Sequence, residues 1–231
     1  NPLTPIQLSA ERLKRRFSDQ IEKDKDTFER CTNTILRQVG DIGRMVEEFS
    51  TFARMPKPTL GRFDVGELAQ GIAFGQRLAA PSVNFSIDLP DEPITVTGDE
   101  RLLGQALTNI IKNACESVDR AVRSGLTKAG AVSIYVDQTE DTARISIMDT
   151  GVGFPKKDRE RLLEPYVTTR ESGVGLGLAI VNRIVEDHGG SLELGDNETV
   201  GHGAKVVITL PVTQSEQVES LAETADEGVS L

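Results

Sequence analysis

Two kinds of hydrophobic periodicity in one chain predict an α+β fold in two parts. The first part is a helical hairpin suited to a dimeric four-helix bundle. The second is an α/β sandwich with helices on one face. Three observations carry this. Apolar residues recur every three or four positions through residues 28–52. A proline-rich break at Met55-Pro56-Lys57-Pro58 ends that pattern. From about 60 to 212, amphipathic helices mix with short alternating strands.

The elements follow in order. Residues 3–23 read as a helix, with Ile6, Ala10, Leu13, Phe17 and Ile21 spaced by three or four. Pro2 and Pro5 belong in its first turn. Residues 18–27 are polar and hold a turn. A second helix, about 27–55, carries Phe28, Cys31, Ile35, Gln38, Ile42, Met45, Phe49 and Phe52 as a heptad seam. Such a helix is roughly 43 Å long. Two helices cannot bury both seams alone, so a second copy is expected to complete a four-helix bundle. Residues 56–60 form a stiff linker between a hairpin domain at 1–55 and a second domain at 61–212.

In the second domain, Asp64 is placed to cap a helix over 65–79. Strands are expected at 83–89 and 94–97. Asp99 caps a long helix reaching about 123. Residues 131–137 and 143–148 read as a hairpin, 156–163 as a short helix, and 175–188 as a helix. Strands at 191–195 and 204–210 close the domain. Residues 213–231 are acidic and Ser/Glu-rich, and are expected to be a disordered tail.

Composition narrows the function. The 231 residues include 38% hydrophobic but only 4% aromatic, with no Trp, so Leu, Ile, Val and Ala must build the core. A net charge of −10 argues against nonspecific binding to nucleic acid or an anionic membrane. It leaves a nucleotide ligand open, since backbone N–H groups and a metal ion can hold phosphates. Cys31 and Cys115 fall in helical patterns and are expected to be reduced, buried and inert. No apolar run is long enough to cross a bilayer. The chain opens without Met and is expected to be a piece of a longer protein.

Four segments carry the chemistry. Asn109, Asn113 and Glu116 share one face of the long helix at i, i+4 and i+7. An oxygen in such a row can hold Mg²⁺, although a solvated polar stripe explains it equally. Asp149-Thr150-Gly151-Val152-Gly153 follows a strand, and a carboxylate there can accept from an exocyclic amine. Alone, it reads as an ordinary turn. Gly173-Val174-Gly175-Leu176-Gly177 leads into a helix whose free N–H groups suit phosphates. It is neither a Walker A loop nor a Rossmann fingerprint. Gly201-His202-Gly203 precedes the last strand.

In this order the four resemble the N, G1, G2 and G3 boxes of the Bergerat-fold ATPases. Glu164-Pro165-Tyr166-Val167-Thr168-Thr169-Arg170 is similar to the F box of histidine kinases, with Tyr166 where Phe is usual. Asn1-Pro2-Leu3-Thr4-Pro5-Ile6 resembles the second half of their H box. The run NPLTPIQLSAERL is similar to NtrY-like sensor kinases of nitrogen regulation.

The resemblance implies a Bergerat-type ATP-binding domain with ATP and Mg²⁺ as cofactors. By it, Asn113 ligates Mg²⁺, Asn109 lies one turn earlier near metal or phosphates, and Glu116 orients a metal-bound water or is simply solvated. Asp149 accepts from the adenine amine, and Gly151 and Gly153 let the backbone approach the base. Gly173, Gly175, Leu176 and Gly177 border the phosphates. Tyr166, Thr168, Thr169 and Arg170 sit on a lid of about 164–175. Arg170 and Lys112 reach phosphate or serve as surface salt-bridge partners. The phosphoacceptor histidine is expected four residues before Asn1, and His188 and His202 do not replace it. The sequence as given is therefore expected to bind ATP without phosphorylating itself. Asn1 matches a position that helps place the water hydrolysing the regulator's phospho-aspartate. Expected partners are a second copy through residues 1–55 and an NtrX-like response-regulator receiver domain. The fragment is expected in the cytoplasm, its parent anchored in the inner membrane. The alternatives are a Bergerat-fold ATPase of another class or a non-catalytic dimerisation or docking module.

Overall fold

The computed structural model describes residues 3–21, 23–168 and 174–212. The expected α+β architecture is present, and the chain divides into two compact units, one of the residues up to Pro56 together with Thr168–Leu176 and the other of the rest.

In the helical unit, α1 (Leu3–Phe17) and α2 (Lys25–Ala53) form an antiparallel hairpin. α1 stops at Phe17 rather than near residue 23. The polar run that follows offers no stripe to bury, and Asp24 turns the chain at φ 61° before α2. Lys14 donates to Asn33 at 2.7 Å and Ser18 to Glu29 at 3.1 Å across the two helices. Among the described residues, Ala10, Thr32 and Val39 are the buried ones of the hairpin. The heptad seam lies largely outside this contact: Ile35, Ile42, Met45 and Phe49 are all exposed. Cys31 shares that uncovered face, so the expectation that both cysteines are buried holds only for Cys115.

The second unit holds α3 (Val65–Ala79), α4 (Glu100–Arg123), α5 (Gly177–Asp187) and two sheets. β1 (Gly61–Asp64) and β3 (Thr95–Gly98) pair antiparallel. The main sheet has the order β2-β4-β5-β7-β6, from β2 (Val83–Asp88), β4 (Gly130–Gln138), β5 (Thr142–Asp149), β6 (Ser191–Asp196) and β7 (Ala204–Pro211). β2 and β4 run parallel, and the other neighbours antiparallel. Parallel neighbours need a crossover, which β3 and α4 supply. Alternate residues of β4 and β7 are buried, so one face of the sheet carries the helices. The core between them is aliphatic: Ile110, Ile111, Ile134, Ile145, Ile147, Ile184 and Ile208 are all nearly inaccessible.

Both predicted caps are made. Asp64 accepts from Gly66 N at 2.7 Å, and Asp99 accepts from Leu102 N at 3.0 Å. Asp99 also accepts from Thr59 N at 3.0 Å, so one carboxylate starts α4 and fixes the end of the linker. That second backbone bond is the main reason its carboxyl titrates below the usual range. His188 ties α5 to the same corner. Its Nε2 accepts from Asp99 N at 2.8 Å, so Nδ1 carries the proton and donates to Ile184 O at 2.6 Å.

Boundaries in the second unit also differ from expectation. α5 begins at Gly177, not at 175. The segment expected as a helix over 156–163 is a 3-10 turn at Arg159–Leu163, entered through Asp158 at φ 54°. β1 is not visible in the sequence at all.

Candidate functional site

The site is built on α4, which runs from its Asp99 cap under the sheet with Leu102, Leu103, Ala106, Leu107, Ile110 and Ile111 buried. That apolar face fixes the helix rotation. It leaves Asn109, Asn113 and Glu116 half-buried along one edge and Lys112 exposed.

Two glycine segments converge on this edge. Gly177, the first residue of α5, lies beside Asn113: a Cβ placed on it would be 3.9 Å from Asn113 Nδ2. One turn further along α4, Ser117 faces the end of β5. A Cβ on Gly151 would collide with Ser117 Oγ and lie 2.7 Å from Asp149 Oδ1. Gly151 is thus glycine because α4 and the Asp149 turn leave no room for a side chain.

The last glycine segment closes over the same turn. Gly203 has φ 103°, and a Cβ there would strike the Asp149 carbonyl oxygen. Gly153, at φ 73°, lies against Gly203 O at 2.9 Å by the same measure. His202 Nδ1 donates to Gly151 O at 3.2 Å. Three sequence-distant segments therefore meet backbone to backbone.

Asp149 is the chemical centre of this turn. It is only 5% exposed. Its Oδ1 accepts from Gly151 N at 2.7 Å and from Ala204 N at 3.3 Å. Burial pushes its carboxyl above the ordinary aspartate range, and these two N–H groups pull it partly back. The Ser117 hydroxyl is buried against it without a well-formed hydrogen bond, though near enough to favour the charged form. A buried carboxylate and an unpaired hydroxyl side by side suit a ligand that brings a donor, such as an exocyclic amine. Cys115 is on the buried side of α4, where burial pushes its thiol up to about 11. It is a packing residue, as expected.

Among the described residues no cluster of three His, Cys, Asp or Glu could cage a metal. The Asn113 amide stands beside the start of α5, and an amide of this kind can give a metal a hard oxygen. That fits Mg²⁺ carried mainly by phosphate oxygens and water rather than by a protein cage.

Gly175 has φ 75° and Leu176 is fully buried. Tyr166 is 60% exposed at φ 67°, and Thr168 is exposed. Asn1, Thr169, Arg170 and Gly173 lie outside the described residues, as does the segment 213–231. Sequence reasoning missed Ser117 and Asn197. Ser117 was accessible, since it continues the i+4 series of Asn109 and Asn113. Asn197 gave no signal, because its partner lies 48 residues away.

Comparisons with known proteins identify the family and the fold. The model of the family described as histidine kinase-, DNA gyrase B-, and HSP90-like ATPase matches residues 98–214. The nitrogen regulation protein NtrY of Azorhizobium caulinodans is 50% identical over 210 residues, which are 91% of this chain and 27% of that protein. The chain thus spans about a quarter of this curated relative. Full-length ShkA in complex with AMPPNP aligns with a TM-score of 0.68 at 24% identity, over 92% of this chain and 44% of that one. Histidine kinase ThkA in complex with response regulator protein TrrA aligns at 0.66 and 22% identity, over 92% and 58%. At these identities the two structures show the fold. No helix among the described residues is long and apolar enough to cross a membrane.

Proposed function

The chain belongs to the histidine kinase-, DNA gyrase B- and HSP90-like ATPase family, as an NtrY-like sensor histidine kinase with its ATP-binding domain, and from that premise we propose that it binds Mg-ATP between α4, the Asp149 turn and the start of α5. The observation that supports this best is the convergence on one helix: Gly177 beside Asn113, and Gly151 beside Ser117 and Asp149.

In this reading Asp149 accepts from the adenine amine and selects the base. Ser117 supplies the neighbouring hydroxyl. Gly151 and Gly153 let the backbone lie close to the ring. Asn113 ligates Mg²⁺, with Asn109 one turn away and Glu116 near a metal-bound water. Gly173, Gly175 and the N–H groups at Gly177 border the phosphates. Lys112, Thr168, Thr169 and Arg170 are the phosphate-side polar groups. Bound ATP supplies the γ-phosphoryl group, and the chain's own residues supply positioning and charge balance.

In the longer protein, the acceptor is a histidine four residues ahead of Asn1, and the phosphoryl group then passes to an aspartate of a response regulator. His188 and His202 are not acceptors. His188 is buried with both ring nitrogens hydrogen-bonded, and His202 serves the Gly151 turn. The exposed seam of α2 is the dimer contact, completed by a second copy. Asn1 assists phosphatase action toward the regulator, and the longer protein is held at the inner membrane by its own upstream segments.

Calorimetric titration tests the binding step. Mg-ATP should bind the 231-residue chain and not its Asp149→Asn variant, and an absence of heat with the unaltered chain sinks the reading. Adding the upstream histidine segment should yield acid-labile, alkali-stable phosphate on the protein. Steady ATP hydrolysis without that phosphate would point to an ATPase of another class.

A further inference from the structure

The loop between β6 and β7 buries a side chain against the Asp149 turn. Asn197 is 5% exposed, and its Nδ2 donates to the Asp149 carbonyl oxygen at 2.9 Å. Its backbone N–H donates to Gly203 O at 3.1 Å. Its Oδ1 accepts from Thr199 N at 3.1 Å and from the Thr199 hydroxyl. Both the nitrogen and the oxygen of that amide are hydrogen-bonded within the fold.

The loop is anchored beyond Asn197. Asp196 pairs with Arg159, and the Arg159 guanidinium lies 6.0 Å from the centre of the Phe154 ring. The segment that follows the Asp149 turn is therefore tied to the same loop. Asp149 thus receives N–H groups at both ends, Asn197 on its carbonyl and Gly151 and Ala204 on its carboxylate.

We propose that Asn197 is a positioning residue for base recognition, acting through Asp149. A carboxylate that reads an amine must be held within a few tenths of an ångström. Rotation about the Asp149 backbone would carry its side chain off the base, and the Asn197 amide is the side-chain restraint on that rotation. This inference rests on the reading of Asp149 as the adenine acceptor.

The discriminating variant is Asn197→Asp in the full 231-residue chain. It keeps the size and the acceptor toward Thr199, and it replaces the donor with an oxygen facing the Asp149 carbonyl. Mg-ATP binding should weaken about tenfold, as for one buried hydrogen bond turned to repulsion. The preference for ATP over inosine triphosphate, which lacks the amine, should shrink with it. Thr199→Val disturbs the same loop from its other side. It should lower the melting temperature without moving that preference. Asn197→Asp with unaltered affinity and preference, whatever its melting temperature, overturns the proposal.

If Asn197→Asp does not fold, the unaltered chain gives a second measure. The Asn197 side-chain amide resonances should shift more with ADP than with inosine diphosphate, and an amide unmoved by ADP overturns the proposal. Asp149→Asn separates the two levels. If it binds ATP normally, the adenine reading itself fails. If it loses binding while Asn197→Asp is normal, only the role of Asn197 falls.

Discussion

α2 and α4 are both long amphipathic helices, yet they end up in opposite situations. Along the seam of α2, Ile35, Ile42, Met45 and Phe49 are 44%, 44%, 50% and 49% exposed. Along α4, Leu103, Leu107, Ile110 and Ile111 are 2%, 1%, 1% and 0% exposed. Both patterns satisfy the same helical periodicity. The difference is that α4 lies on a sheet of its own unit, whereas the described seam residues of α2 stay exposed beside α1. An apolar stripe announces that a cover is needed. It does not say whether the cover comes from the same chain.

Cavity-forming substitutions test this contrast most strongly. Ile145→Ala, in the sheet core, should cost about 2–5 kcal/mol in urea unfolding of the second unit. A loss under 1 kcal/mol would mean that core is far looser than its burial indicates.

Asp149→Asn follows in size. Mg-ATP affinity should fall at least about 100-fold, near 3 kcal/mol. The empty protein should melt no lower than the unaltered one, because a buried charge is removed while the Gly151 and Ala204 bonds keep an acceptor. A coupled loss of binding and stability would make Asp149 a structural residue.

Asp99→Ala removes a helix cap and the anchor of Thr59 together. It should cost about 1–2 kcal/mol, measured by the denaturation midpoint. Asp99→Asn should recover part of it.

The pH dependence has a definite sign. Burial raises the Asp149 pKa above its unfolded value. The folded state therefore binds that proton more tightly, and the empty unit loses stability as pH rises from the ordinary aspartate range through the raised pKa. Adenine recognition needs the charged form, so Mg-ATP affinity should rise across that same window. Unfolding at stepped pH in Asp149→Asn should lack the stability dependence.

The smallest effect on folding should come from Ile42→Ala, within about 0.5 kcal/mol for the dilute chain, since its side chain is already half in water. The same change should weaken self-association in light scattering. A cost comparable to that of Ile145→Ala would show that the hairpin buries this seam by itself.

Much of the site was legible beforehand. Asp64 and Asp99 as caps and the long α4 follow from local chemistry read at the right spacing, while Asn113, Asp149 and Gly177 were drawn together by their resemblance to the Bergerat-fold boxes. The parts that escaped were those that another segment creates. β1 is four residues of mixed polarity and becomes a strand only because β3 pairs with it, Gly61 opposite Gly98. The expected helix over 156–163 is a tight turn, pinned by Arg159 to Asp196. Asn197 looks like any loop asparagine until the Asp149 carbonyl is found against it.

The sequence alone determined the order of most helices and strands, the two helix caps and the aliphatic core. These depend on periodicity and capping, which act within a few residues. The tertiary structure decided which face of α2 stays uncovered, which hydroxyl stands unpaired beside Asp149, and which loop holds that aspartate in place. Those outcomes depend on atoms brought together from far along the chain. Burial and hydrogen bonding act on distance in space, which no local pattern encodes.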